Sequence, residues 1–128
     1  MIRGIGNDII EVSRIEANIK KHGQKFLDKI FTKEEQKYCS SFRLSSRNYA
    51  GRFAAKEAVV KALGTGFRHG LDWLDIEILN DDQGKPYLTL SDRFKEHFGN
   101  PTIHISISHC HEYASAVAIW EEKGHQGP

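Results

Sequence analysis

The sequence predicts an α+β fold: a single domain with N-terminal helices packed on a small, mainly antiparallel sheet. Two observations lead there. Apolar residues recur at helical spacing through most of the first half, then turn to alternation and short apolar runs after about residue 71. Helices crowd one half and strands the other, which is the order of an α+β domain and not of repeated βαβ units. A chain of 128 residues, 39% hydrophobic, suits one domain that buries roughly two-thirds of its unfolded surface. The domain is placed at residues 1–120. Residues 121–128 are expected to fray, since Lys123-Gly-His-Gln-Gly-Pro128 has no apolar pattern.

Ile2, Ile5, Ile9 and Ile10, with two glycines among them, read as a short buried strand ending near Asp8. From Val12 to Lys21 the spacing of Ile15 and Ile19 predicts an amphipathic helix. Thr32-Lys33-Glu34-Glu35 has the form of a capping box and opens a short helix. A longer helix is expected from Ser45 to Leu63, stopped by Gly64 and followed by a Gly64-Thr65-Gly66 loop. Trp73 to Leu79 suggests a strand with an ambiguous first turn. Asn80 to Lys85 makes a turn, and Pro86 to Leu90 returns as the hairpin's second strand. Ser91 caps a small helix through Phe98, closed by Gly99-Asn100-Pro101. Ile103, Ile105 and Ile107 then alternate with His104, Ser106 and Ser108, a half-buried strand. Ala114 to Trp120 is a last strand, paired antiparallel through the turn at His109 to Tyr113.

The net charge of +1 conceals a split. Residues 1–70 hold 14 Lys and Arg against 7 Asp and Glu; residues 71–128 hold 4 against 10. The basic half is suited to an anionic partner. No apolar run reaches the ~18–20 residues of a membrane span, and Asn7, Asp8 and Glu11 interrupt any signal-peptide core at the start. Cys39 and Cys110 lie far apart with no Cys-x-x-Cys, so a disulfide framework is not expected and the cytoplasm is the simpler location.

The densest chemical signal is Gly51-Arg-Phe-Ala-Ala-Lys-Glu-Ala-Val-Val-Lys-Ala-Leu-Gly64. Its alanines let a neighbouring element approach closely. Glu57 and Lys61, four apart, share a face. They make either an ordinary surface pair or, beside Phe53 and Val60, a carboxylate that needs a counter-charge or a metal. Asp8 at the strand end serves either as a turn residue or as a second carboxylate. Two carboxylates from separate elements with a lysine fit a magnesium site, because Mg²⁺ takes one or two carboxylates and completes its shell with water and phosphate. Three histidines and Cys110 between residues 104 and 111 invite zinc, but structural zinc wants two separated ligand pairs and Cys39 has no partner nearby. Hydroxyls and imidazoles at a strand end suit a phosphate better. There is no Walker loop, no Gly-x-Ser-x-Gly elbow and no Cys-His nucleophile signature.

Three stretches, Gly4-Ile-Gly-Asn-Asp-Ile-Ile10, the Gly51 to Gly64 segment and Ile105-Ser-Ile-Ser-His109, stand out together. Together they resemble the bacterial holo-acyl carrier protein synthases, the small phosphopantetheinyl transferases. Asp75-Ile-Glu-Ile78 and Gly84-Lys-Pro-Tyr87 fall in the same order, so the likeness spans Met1 to about Trp120. The resemblance implies a homotrimer with coenzyme A at subunit interfaces. It implies transfer of phosphopantetheine to a serine of apo acyl carrier protein, with release of adenosine 3',5'-bisphosphate, in fatty acid biosynthesis. By it, Asp8 and Glu57 hold Mg²⁺ and Lys61 neutralises the transferring phosphoryl group. The serine proton passes to Glu57 or to a metal-bound water, and the residues do not choose between them. Arg52, Pro86, Ser108 and His109 match positions around the nucleotide, with Arg52 the expected phosphate partner; Gly64 is a further substrate-binding position, and Arg14 matches a position facing the carrier protein. Asn7 and Cys110 fall at variable positions, while Lys20-Lys21-His22 stands where arginines are often found. Phosphoryl transfer needs positioning and charge neutralisation, which agrees with this residue set. Two alternatives remain: a basic nucleic-acid-binding module, which lacks interleaved aromatics, and an inactive carrier-protein scaffold, which would lack a metal carboxylate.

Overall fold

Glycine at two inward-facing positions decides how this chain packs. The structure is a computed structural model that describes residues 1–64, 66–67 and 71–122. Strand β1 (Ile2–Glu11) turns Gly4, Gly6, Asp8 and Ile10 toward a 19-residue helix, α4 (Ser45–Leu63). A Cβ placed on Gly6 would lie 2.6 Å from the backbone nitrogen of Ala62 and closer still to the Ala58 carbonyl oxygen. Only glycine admits such an approach. The helix answers with Ala54, Ala55, Ala58 and Ala62, all buried. Strand and helix backbones thus lie almost in contact.

β1 pairs antiparallel with the last strand, β5 (Tyr113–Glu121), and β5 pairs antiparallel with β4 (Thr102–His109), in the order β1-β5-β4. The first strand is longer than its sequence pattern predicts, continuing past Asp8 to Glu11, and it is covered on one face only. Ile5 and Ile9 point away from α4 and are each 66% exposed. Strict alternation in a sheet with one helix-covered face forces this result. Ile103, Ile105 and Ile107 of β4 pack against the core as expected, and His104, Ser106 and Ser108 lie exposed on the other face. Glu121, assigned to the tail, is paired within the sheet, and the Glu122 backbone nitrogen donates to the Met1 carbonyl at 2.8 Å. Residues 123–128, the rest of the expected tail, lie outside the described residues.

Three helices follow β1: α1 (Val12–His22), α2 (Gln24–Ile30) and α3 (Lys33–Ser40). The second is not foreseen by the pattern. Gly23, at φ 56°, turns the chain between α1 and α2 without a side-chain cap. The capping box of α3 forms as predicted, with Thr32 Oγ1 accepting from the Glu35 amide at 3.2 Å and Glu35 Oε1 accepting from the Thr32 amide at 2.8 Å. The expected strand at Trp73 starts later. Trp73–Asp75 is a 3-10 turn fixed by Asp72, whose Oδ1 accepts from the Leu74 amide, and by Asp75, whose Oδ2 accepts from the Asp72 amide. The hairpin β2 (Ile76–Asn80) and β3 (Pro86–Leu90) forms a separate two-stranded sheet, followed by Ser91-capped α5 (Asp92–Phe98).

Two apolar clusters meet along α4. One joins α4 to the sheet, the hairpin and α5 through Val59, Ile76, Ile78 and Phe94; the other lies under α1 to α3 around Ile15, Phe31 and Tyr49. Between them Lys56 and Glu35 form an ion pair at 2.7 Å, both side chains 0% exposed. The Lys56 ammonium also donates to the carbonyls of Ile30 and Trp73 at 2.7 and 3.0 Å, and the second Glu35 oxygen accepts from the Ile78 amide at 2.8 Å. Each buried charge is therefore paired and further hydrogen-bonded, which is the condition for tolerating it. Nearby Cys39 is fully buried, and burial pushes its thiol up to about 12.

Candidate active site

The close seating of β1 on α4 brings Asp8 against two residues of the helix. Asp8 follows Gly6 by two positions, so it faces the same way. The Lys61 ammonium donates to Asp8 Oδ1 at 2.9 Å and to the Asn7 carbonyl at 3.1 Å. Among the described ion pairs Lys61 thus reaches across to the strand, and the ordinary i,i+4 surface pair with Glu57 is not what forms. The Asp8 bond, more than anything else, holds Lys61 charged above its usual range. Glu57 is half-buried beside them. Burial first, and the negative charge of Asp8 second, push its carboxyl up, with Lys61 opposing. Two coupled carboxylates and one ammonium leave a net negative charge in a partly desolvated site. That donor set fits a hard divalent cation. No group of three or more His, Cys, Asp or Glu is placed to share a metal among the described residues. A cation here would draw its remaining ligands from water and phosphate.

A cavity of about 500 Å³ opens on another side of α4, lined by Arg43, Arg47, Arg52, Pro86 and His109 among others. Arg52 is 4% exposed. It lies five residues before Glu57, about 140° around the helix. In one chain the cavity and the carboxylate pair therefore face different directions. His109 and Pro86 line the cavity together with Arg52. Ser108 does not: it sits on the open sheet face. Gly64 ends α4 in the left-handed conformation at φ 76°, its amide donating to Val60 and Lys61 carbonyls. The adjoining Thr65 lies outside the described residues. Arg14 is exposed on α1. Of the histidines considered for zinc, His104 bonds Glu121 at 3.2 Å and His111 meets Arg47 Nη2 at 2.6 Å, in different places. Residues not foreseen are Arg43 and Arg47 of the cavity wall and the pair Tyr38 and Asn80, which hold Arg52. A basic residue at 43 and another at 47, beside Arg52, were the available signal.

A family model described as the 4'-phosphopantetheinyl transferase superfamily matches residues 4–118. A holo-[acyl-carrier-protein] synthase of Protochlamydia amoebophila is 61% identical over 120 residues, covering 94% of this chain and 98% of the relative. The chain belongs to this family. Its fold agrees: the crystal structure of the holo-(acyl-carrier-protein) synthase from Bacillus anthracis, in complex with CoA (3',5'-ADP), superposes with a TM-score of 0.81 at 42% identity, over 96% of this chain and 99% of that one. The Neisseria meningitidis holo-[acyl-carrier-protein] synthase gives 0.86 at 35% identity, over 95% and 100%. Membership leaves the nucleic-acid reading without support. The basic surplus is also partly used inside the fold, with Lys56 in the core, Arg52 in the cavity and Lys61 on Asp8.

Proposed function

We propose that this synthase, a phosphopantetheinyl transferase acting between coenzyme A and apo acyl carrier protein, works through Asp8, Glu57 and Lys61 with Mg²⁺ held by the two carboxylates. The observation that carries the reading is the meeting of these three side chains where β1 seats on α4. The cation would supply charge neutralisation at the coenzyme A pyrophosphate. Lys61, already held charged, would stabilise the phosphoryl group in flight. The carrier serine oxygen forms the new P–O bond, the bond to the bisphosphate breaks, and adenosine 3',5'-bisphosphate leaves. Glu57, with its carboxyl raised, or a water on the cation would receive the serine proton.

The nucleotide belongs in the cavity with Arg52, Pro86 and His109. Because that cavity and the carboxylates diverge around α4, a molecule touching both calls for a second copy of the chain. The homotrimer supplies it, and the exposed apolar residues Ile5, Ile9 and Val117 on the open sheet face are suited to the interface. Ser108 lies on that face too, so its place is at the junction. Gly64, one turn beyond Lys61, would contact the coenzyme A substrate. Arg14, on the exposed side of α1, would face the acidic carrier protein. The two cysteines are free, and no described helix is long and apolar enough to cross a membrane, in keeping with a cytoplasmic setting.

Glu57→Gln tests the core of the reading. Mass spectrometry of apo carrier protein incubated with coenzyme A and Mg²⁺ should show loss of the added prosthetic group, while thermal unfolding stays near wild type. Near-normal modification by E57Q would overturn the role. Light scattering that finds a stable monomer would overturn the trimer.

A further inference from the structure

Asn80 ends β2, and its side chain reaches two ways. Its amide nitrogen donates to the Gly84 carbonyl across the hairpin turn at 2.8 Å. That bond fixes the amide so that its oxygen accepts from Arg52 Nη2. Tyr38 of α3 takes the guanidinium from the other direction, its ring centroid 4.4 Å from the central carbon. Two separate elements thus hold one guanidinium still. Its charge is nevertheless unmatched among the described residues. No carboxylate lies within ion-pair distance of Arg52 among the described residues, and its buried Nε has no hydrogen-bond partner there. A buried cation in that condition is costly until an anion joins it.

We propose that Asn80 and Tyr38 are positioning residues that present Arg52 as the receptor for a phosphate oxyanion of coenzyme A. The inference rests on the cavity being the nucleotide site. Guanidinium geometry matches phosphate with parallel hydrogen bonds, but only when the plane is preset. Asparagine presets it without neutralising it. An aspartate at position 80 would lose the bond to the Gly84 carbonyl but would still accept from the guanidinium and act as its counter-ion, shutting the phosphate out. The requirement is therefore for an uncharged acceptor.

The experiment compares N80D, N80A, Y38L and Y38F by calorimetric titration with coenzyme A and with adenosine 3',5'-bisphosphate, alongside steady-state transfer and thermal unfolding. N80D should weaken coenzyme A binding by about tenfold or more and raise KM to match, with kcat within about twofold. The same variant gains an ion pair with the buried arginine and loses the bond to Gly84, so its unfolding temperature should stay within a few degrees of wild type. N80A should weaken binding less than N80D. Y38L should also weaken it, and Y38F, which keeps the ring, should recover most of the loss. Repeating the titration with 3'-dephospho-coenzyme A identifies the phosphate: an N80D effect that vanishes assigns the 3'-monoester, and one that persists assigns the pyrophosphate, either keeping the proposal. Wild-type coenzyme A affinity in N80D would overturn it, as would a fall in kcat and unfolding temperature with KM unchanged. If the wild-type protein itself fails to bind coenzyme A, the cavity reading falls and this inference with it.

Discussion

Gly6→Ala adds a single methyl group, and the structure sets what that methyl must do. It would arrive 2.6 Å from Ala62 N and nearer still to the Ala58 carbonyl oxygen, whereas ordinary contact begins at 3.4 Å. Both obstacles are helix backbone, so no side chain can swing aside. β1 must retreat from α4 by about 1 Å, and Asp8, two residues along, retreats with it. A displacement of ~1 Å at reacting groups costs on the order of 100-fold in rate. The overpacking costs a further ~1–3 kcal/mol of stability. The expected result is therefore a folded, destabilised protein whose kcat for carrier modification falls about 100-fold. Transfer would be followed by mass spectrometry and stability by thermal unfolding. Gly51→Ala is the control: its methyl meets the Ile107 Cγ2 at 3.0 Å, a side-chain atom that can shift. Wild-type kcat in G6A would refute the claim that strand seating sets the carboxylate geometry.

Three further expectations follow from other parts of the molecule. Lys56→Met leaves Glu35 buried without its counter-charge and should lower stability by about 3–5 kcal/mol, seen as a melting point roughly 10–20 °C lower; a shift of only a degree or two would show the pair to be dispensable. Burial alone would raise the Asp75 carboxyl, but hydrogen bonds from Arg93, Ser91 and the Asp72 backbone outweigh it and hold it at about 2, below its ordinary 3.8. A depressed folded value gives stability that is full above pH 4 and lost as pH falls toward 2, here about 2 kcal/mol, so urea titrations of wild type and D75N should converge by that amount across the window; parallel curves would contradict the linkage. Arg14→Glu should weaken carrier-protein binding and its salt sensitivity while coenzyme A binding is kept, and equal loss of both in parallel titrations would point to misfolding.

Local rules carried the reading of the sequence far and failed where partners are remote. The capping box at Thr32, the Gly64 stop, the hairpin around Gly84 and the alternation of β4 are each set within a few residues, and each appears as expected. α2 escaped because it is only seven residues long and starts at an uncapped Gly23. The extent of β1 escaped because its pairing with β5, over 100 residues away, decides it. At the site, spacing put Glu57 and Lys61 together but not Lys61 on Asp8, a contact 53 positions apart that depends on two glycines letting strand and helix touch. Arg52 is legible as a basic residue, yet its burial between Tyr38 and Asn80 depends on three elements folding around it.

Lys56 and Glu57 are neighbours in the chain with opposite surroundings, one sealed against Glu35 and the other turned to Asp8. A helical step of about 100° separates them. Gaining one residue within α4 upstream of them would carry Lys56 into the place of Glu57 beside Asp8, and losing one would carry Glu57 into the buried place of Lys56. Point changes around the helix leave that angular key intact. The segment should therefore vary by substitution while its length stays fixed, and an insertion there should be far more damaging than its single residue would suggest.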